Sequence, residues 1–326
     1  SIITGISITG GFNESGGAIL ISQYAAPTLI SCIFRDNEAS YGGAIYIDNT
    51  GPTFTNCQFN DNRANAGGAI YTYGEDANSA PLLENCIFRG NSAAYNGGAI
   101  YNSGEVNSIF EGCLFMENSS SGGGGAIRNI SSANLILTNC IFSKNQAQSF
   151  GGGIRNSHNS NCVLTNCTFS ANSAAYGSSL ASTVDDQGAQ ASGSFAILNC
   201  IIQDLPFRQA GSGNIIYNGD YSTITVSYSN VPDSFAAGPW MGEGNIYADP
   251  YFADADNGDF HLKSQAGRYN PNSQSWILDD VTSPCIDAGD ASTPIGDEPQ
   301  PNGGIINMGA YGGTTEASKS FLNELN

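Results

Sequence analysis

Two short motifs alternate along this chain and fix what it can fold into. Gly-Gly-Ala-Ile occurs at 16–19, 42–45, 67–70, 97–100 and 124–127, returns as Gly151-Gly152-Gly153-Ile154, and decays to Gly177-Ser178-Ser179-Leu180. Between successive copies lies Phe-x-x-Asn, at Phe34/Asn37, Phe59/Asn62, Phe88/Asn91, Phe115/Asn118, Phe142/Asn145 and Phe169/Asn172. A cysteine stands two positions before each of these phenylalanines, at Cys32, Cys57, Cys86, Cys113, Cys140 and Cys167, and Cys200 extends the series. Both motifs advance by 25 to 30 residues per copy. Self-similarity at such a period is the mark of a repeat architecture in which each unit packs on the next.

The kind of solenoid follows from the residues between the motifs. Leucine-rich repeats would carry several leucines per unit, and helical repeats an apolar spacing of 3.6 residues. Here the apolar segments are short and β-rich, as in Ala44-Ile45-Tyr46-Ile47 and Leu135-Ile136-Leu137-Thr138, and Gly, Asn and Ser turns separate them. A coil of short strands that stacks on its own copy pairs its backbone through parallel ladders and rises about 4.8 Å per turn. The expected fold is therefore all-β, a right-handed parallel β-helix of about nine or ten coils. Regular coils are expected over residues 1–205, irregular coils over 206–262, and a C-terminal cap over 263–326.

Stacking assigns each recurring residue a structural task. The Cys, Phe and Ile columns should point inward and fill a narrow core. The Asn column should form a ladder of side-chain amides at a tight turn, and the paired glycines should supply positive φ where the chain bends. The nine cysteines fall about one per repeat and never as CxxC pairs, so they read as free buried thiols rather than a disulfide framework or a metal site. Gly-Gly precedes strands, not helices, and is no phosphate loop.

Charge narrows the partners. Ten Lys and Arg against twenty-nine Asp and Glu give a net charge of −19, which excludes a nucleic-acid partner and disfavours an anionic polysaccharide. No apolar run is long enough to span a membrane as a helix. The opening Ser1-Ile2-Ile3-Thr4-Gly5 reads as the middle of a strand. The expectation is a removed leader on a secreted bacterial protein, and the alternative is a start inside a longer chain.

The paired motifs resemble the repeats of chlamydial polymorphic outer-membrane proteins over roughly residues 1–205, which implies a surface adhesin. The chain has no run of amphipathic membrane-barrel strands such as those proteins carry. Its C-terminal part, with Gly244-Asn245-Ile246, Asp249-Pro250-Tyr251-Phe252, Asn257-Gly258-Asp259-Phe260-His261-Leu262, Ser283-Pro284-Cys285-Ile286-Asp287-Ala288-Gly289-Asp290 and Asn307-Met308-Gly309-Ala310-Tyr311-Gly312-Gly313, is similar to secreted β-helix proteins with a choice-of-anchor Q-type region. That resemblance implies secretion and surface association, not a reaction.

Few residues offer chemistry. The residue after each column Ile is Leu20, Tyr46, Tyr71, Tyr101, Arg128 or Arg155. Strand alternation points these outward, so Tyr46, Tyr71, Tyr101, Arg128 and Arg155 form a candidate glycan-binding stripe; the bland alternative is that Tyr favours strands. Glu84 and Glu111 share a column on adjacent coils, at the separation of a retaining glycosidase pair, although a solvated face explains them as well. His158 and His261 are the only histidines, which argues against a catalytic triad or a zinc cluster. Asp254, Asp256 and Asp259 have the spacing of a Ca²⁺ loop without its distal Glu, and a hydrogen-bonded turn is the competing reading for them and for Asp287 and Asp290. No cofactor is expected beyond this weak Ca²⁺ site. The functional expectation is an extracellular structural or cell-surface β-helix that associates with itself, end to end or laterally, or with surface components. The alternatives are an adhesin or glycan-binding module, and a polysaccharide lyase or hydrolase.

Overall fold

A computed structural model describes residues 1–76, 79–184, 193–204, 214–232 and 242–321. These form two units: Ser1–Val163, Phe169–Phe195 and Asp204–Ile224 make the first, and Leu164–Thr168, Ala196–Gln203 and Thr225–Asn326 make the second.

In the first unit the chain winds through four parallel sheets. Sheet A takes Ile2–Thr4, Thr28–Ile30, Thr53–Thr55, Leu82–Glu84, Asn107–Glu111 and Asn134–Thr138; sheet B takes Ser7–Thr9, Ile33–Arg35, Gln58–Asn60, Ile87–Arg89, Leu114–Met116 and Ile141–Ser143. Sheet C consists of Phe12–Ser15, Glu38–Tyr41, Arg63–Ala66, Ser92–Asn96, Ser119–Ser120 and Gln146–Ala147. Sheet D, the longest within this unit, runs Ile19–Ile21, Ile45–Asp48, Ile70–Gly74, Ile100–Gly104, Ile127–Ile130, Ile154–Ser157, Leu180–Thr183 and Ile216–Asn218. Each strand pairs in parallel with its counterpart one coil away, as Ile70 does with Ile45 and Ile100. Among the described residues sheet D has eight strands, about eight turns, against the nine or ten expected from sequence. Of the irregular region expected over 206–262, residues 206–213 and 233–241 lie outside the described residues; Ile216–Asn218 and Thr223–Ser227 are strands.

The columns stack. Phe34, Phe59, Phe88, Phe115, Phe142 and Phe169 are fully buried, and their rings lie nearly parallel with centroids 4.6 to 5.0 Å apart. Face-to-face rings are not the preferred aromatic geometry, so the coil rise, not the ring quadrupole, sets this spacing. All nine cysteines are free and buried. In the first unit the thiols of Cys57, Cys86, Cys113 and Cys140 each hydrogen-bond a backbone carbonyl of the preceding coil. In the second unit the Cys167 N–H donates to Cys200 Sγ. Burial pushes the Cys200 thiol up, and the Cys285 thiol up to about 12.

The asparagine column is a directional wire. The backbone N–H and Nδ2 of Asn91 both donate to Asn118 Oδ1, and Asn118 does the same to Asn145. The second Nδ2 hydrogen reaches back to a phenylalanine carbonyl one coil earlier, as from Asn118 to Phe88. Each interior amide thus makes all four of its bonds without water. The pattern holds from Asn37 to Asn172, where the acceptor becomes the carboxylate of Asp204 at 2.8 Å from the Asn172 N–H. Asp204 also accepts from the Ser179 hydroxyl, and it is buried. Burial raises its pKa to about 6.

Two glycine positions show why the repeat tolerates nothing larger. Gly42 adopts φ of +61°, and a Cβ on Gly43 would lie 2.1 Å from the Gly68 carbonyl oxygen of the next coil.

The second unit holds two antiparallel hairpins, Phe252–Asp254 with Asp259–Leu262 and Arg268–Asn270 with Ser275–Ile277, followed by a long irregular segment. Ile201, Leu262, Cys285, Ile286 and Met308 form its apolar cluster. Asn166 Nδ2 donates to the Asn307 carbonyl, and Asn199 accepts from the Asp290 N–H, which ties the two short inner segments to the irregular one.

Asn118→Ala should cost roughly 3–5 kcal/mol in urea unfolding, because it strands two donors of Asn91 and removes the Nδ2 bonds to the Phe88 carbonyl and Asn145 Oδ1 in a dry interior. Asp204→Asn should leave stability near pH 4 unchanged. The folded-state pKa lies above the ordinary carboxylate value, so the protonated group's contribution is complete below about pH 4 and is lost as pH rises through about 6. At pH 7.5 the variant should therefore exceed wild type by on the order of 2–3 kcal/mol; an identical pH profile for both proteins would contradict this account.

Candidate functional site

Sheet C carries an open concavity, a groove of about 690 Å³ that runs from coil to coil along the stacking direction. Its floor follows from residue size. In register, Ala39, Ala64, Ala93, Ser120 and Ala147 turn inward and are buried. Their neighbours Ser40, Asn65, Ala94, Ser119 and Ser121 turn outward and are short. The exposed surface is thus a file of hydroxyls, amides and methyls repeating at the coil rise of about 4.8 Å. Glu38, Arg63, Gln146 and Gln148 line it with longer polar groups, and Phe12 stands at one end.

An aromatic flank borders this file. Ala64 pairs with Ala93 and Ala66 with Asn96, so Ala94 and Tyr95 together oppose Asn65 in a bulge. Bulges re-aim side chains, and Tyr95 is 64% exposed over a depression of about 240 Å³ that it shares with Ala94, Ser121, Phe150 and Arg155. Phe150 is covered on its faces, by Tyr176 at 5.0 Å and by the Arg155 guanidinium at 5.0 Å. Tyr95 is the most exposed ring of this flank, ahead of Tyr176 at 39%.

The stripe expected on sheet D is placed differently. Tyr46, Tyr71 and Tyr101 do form a column, with centroids 5.2 and 4.9 Å apart and rings within 7° of parallel. Their faces cover one another, and Tyr41 adds an edge contact to Tyr71. Burial, with the neighbouring tyrosines, lifts the Tyr71 phenol well above its ordinary range. Arg128 and Arg155 do not point into solvent: they are 1% and 4% exposed. Arg128 donates to the Asn129 and Arg155 carbonyls and to Ser157 Oγ, and Arg155 Nε donates to Thr183 Oγ1. Alternation sends a side chain to the outer side of its strand, but neighbouring polar groups then enclose it.

The other candidates separate as well. Glu84 and Glu111 are cross-strand partners on sheet A, apart from the groove strands, and Glu84 accepts from Thr55 Oγ1. His158 bonds Ser157 Oγ. In the second unit His261 stacks on Tyr311 at 3.7 Å between the carboxylates of Asp259 and Glu316. Bonds from His261 and the charge of Arg268 hold the Asp259 carboxyl below its usual range, against its burial. Asp254 caps the short 3₁₀ turn Ala255–Asn257, accepting from Asn257. Asp254 and Asp259 are thus employed in a turn and an ion pair, and among the described residues no group of three or more His, Cys, Asp or Glu is arranged to hold a metal. No helix among them is long and apolar enough to cross a membrane. Nothing in the sequence marked sheet C, because its residues are small, polar and carry no motif.

Parallel coils, stacked Phe and Asn columns and a shallow external groove define a parallel β-solenoid. The chain belongs to the right-handed β-helix family: the family model described as "Right handed beta helix region" matches residues 5–187, more than half its length. A second model, described as "Disaggregatase related", matches residues 131–289, and the chain is similar to that family there. No curated protein and no solved structure matches the chain.

Proposed function

We propose that this β-helix is an extracellular surface protein that binds an extended, uncharged polysaccharide along the sheet C groove. The observation that carries this reading is the solvent-facing Tyr95 ring beside a file of small polar side chains that repeats once per coil. An extended pyranose chain has the same needs in the same order: an apolar ring face to stack on, and hydroxyls to satisfy at each successive sugar. A net charge of −19, with Glu38 and Arg63 the charged side chains lining the groove, favours a neutral glycan over an anionic one. The groove assembles no pair of carboxylates with separated proton affinities, so binding is supported better than cleavage.

Affinity electrophoresis through gels holding neutral or anionic polysaccharides tests this reading. Retardation should occur in at least one neutral gel, and Tyr95→Ala should weaken it about tenfold, the loss of one stacking contact. Tyr71→Phe, in the covered column, should leave it unchanged. Absence of retardation in every neutral gel, or retardation indifferent to Tyr95, would sink the proposal.

A further inference from the structure

The second unit contains a polar cluster that neither the ladders nor the groove employs. Glu298 is 6% exposed, and its Oε1 accepts from the N–H groups of Asn307 at 2.8 Å and Gly313 at 2.9 Å. Its other oxygen, Oε2, is buried and has no hydrogen-bond partner. Asp287 Oδ1 and the hydroxyl of Ser320, itself 6% exposed, are in the same condition. Interiors rarely leave a polar atom unsatisfied, and three in one segment of the chain call for an occupant.

These oxygens share a neighbourhood. The charge of Asp287 acts on Glu298, and the Ser320 hydroxyl lies beside Asp287, near enough to act on its charge but outside hydrogen-bond geometry. The frame around them is tied down: the Asp287 N–H donates to Asn307 Oδ1, Asn302 Nδ2 to the Glu298 carbonyl, and the Ser320 N–H to the Pro301 carbonyl. Gly303, at φ of +59°, comes so near that a Cβ there would sit 1.9 Å from Asp287 Oδ2. Among the described residues no basic side chain acts on either carboxylate. A buried carboxylate, Glu298, and a half-buried one, Asp287, are thus held on the same residue, Asn307. Burial first, and Asp287 after it, raises Glu298 to about 7, and burial raises Asp287 too.

We propose that Asp287, Glu298 and Ser320 are protein ligands of a calcium ion that locks the irregular segment of the second unit. The donor set is all oxygen, two of them carboxylate, with no sulfur or imidazole, which is the chemistry of a hard cation rather than zinc or copper. Irregular loops supply these ligands, and Ca²⁺ accepts such uneven, mixed coordination where Mg²⁺ demands a near-ideal octahedron. Two negative ligands and backbone N–H groups already spent on Oε1 leave Oε2 aimed at the ion. The inference stands apart from the glycan groove and from the Asp254–Asp259 turn.

The test uses the full chain after chelation. Isothermal titration calorimetry with CaCl₂ should give one site, and thermal unfolding should show a midpoint that climbs with calcium concentration, as a ligand of the folded state requires. Glu298→Gln, which keeps Oε1 for the two N–H groups, and Asp287→Asn should each weaken binding at least tenfold with the circular dichroism spectrum intact. Asp254→Asn should leave the affinity unaltered. Absence of both heat and midpoint shift up to millimolar calcium would mean that water fills the site and overturns the proposal. So would binding that survives Glu298→Gln and Asp287→Asn, or that Mg²⁺ matches ion for ion.

Discussion

The whole first unit depends on one constraint: a parallel ladder returns each residue to a place directly above its counterpart. Once that holds, side-chain chemistry is repeated rather than merely packed. A column must then be made of groups content to touch copies of themselves. Phenyl rings, thiols, branched aliphatics and carboxamides meet that condition unaided; charged groups do so only in water or, as at Arg128 and Arg155, where neighbouring coils supply acceptors. This explains why charged residues make up 12% of the chain and why the interior columns are Phe, Cys, Ile and Asn. Asn is the demanding member, because a carboxamide offers donor and acceptor on the same group and so pairs with itself indefinitely in one direction. Its wire ends at Asp204, a group that only accepts when ionised.

The proposed function rests on the face left outside that core. A solenoid that spends its large residues on the interior columns has short side chains over sheet C, and a row of short side chains is a groove. Coil periodicity then makes the groove a repeating one, suited to a polymer rather than to a single small molecule. The membership of the chain in the right-handed β-helix family is consistent with a surface or structural role and assigns no reaction.

What the sequence made legible was whatever recurs. Cys86, Cys113 and Cys140, the Phe column and the Asn column were all readable, because one residue per coil writes its own position into the period. The Tyr46, Tyr71, Tyr101 column was readable as a column but not as a surface. Alternation tells which side of a strand a residue leaves by, not what covers it afterwards, and the burial of Arg128 and Arg155 comes from polar groups of neighbouring coils. Tyr95 was hidden for the opposite reason: it is the extra residue of a bulge and so falls outside the period. Asp287, Glu298 and Ser320 come together through irregular backbone, for which no spacing rule exists.

The one-way asparagine wire also makes length a free variable. Every interior rung is satisfied by the rung before and the rung after, whatever their number, so an in-frame duplication of one coil between Asn62 and Asn145 leaves no amide orphaned. It adds one phenyl ring to the stack and one step to the groove. Coil number in such a molecule is thus a dial that gene duplication can turn by whole clicks, lengthening the groove by one coil rise each time while the wire still ends on Asp204.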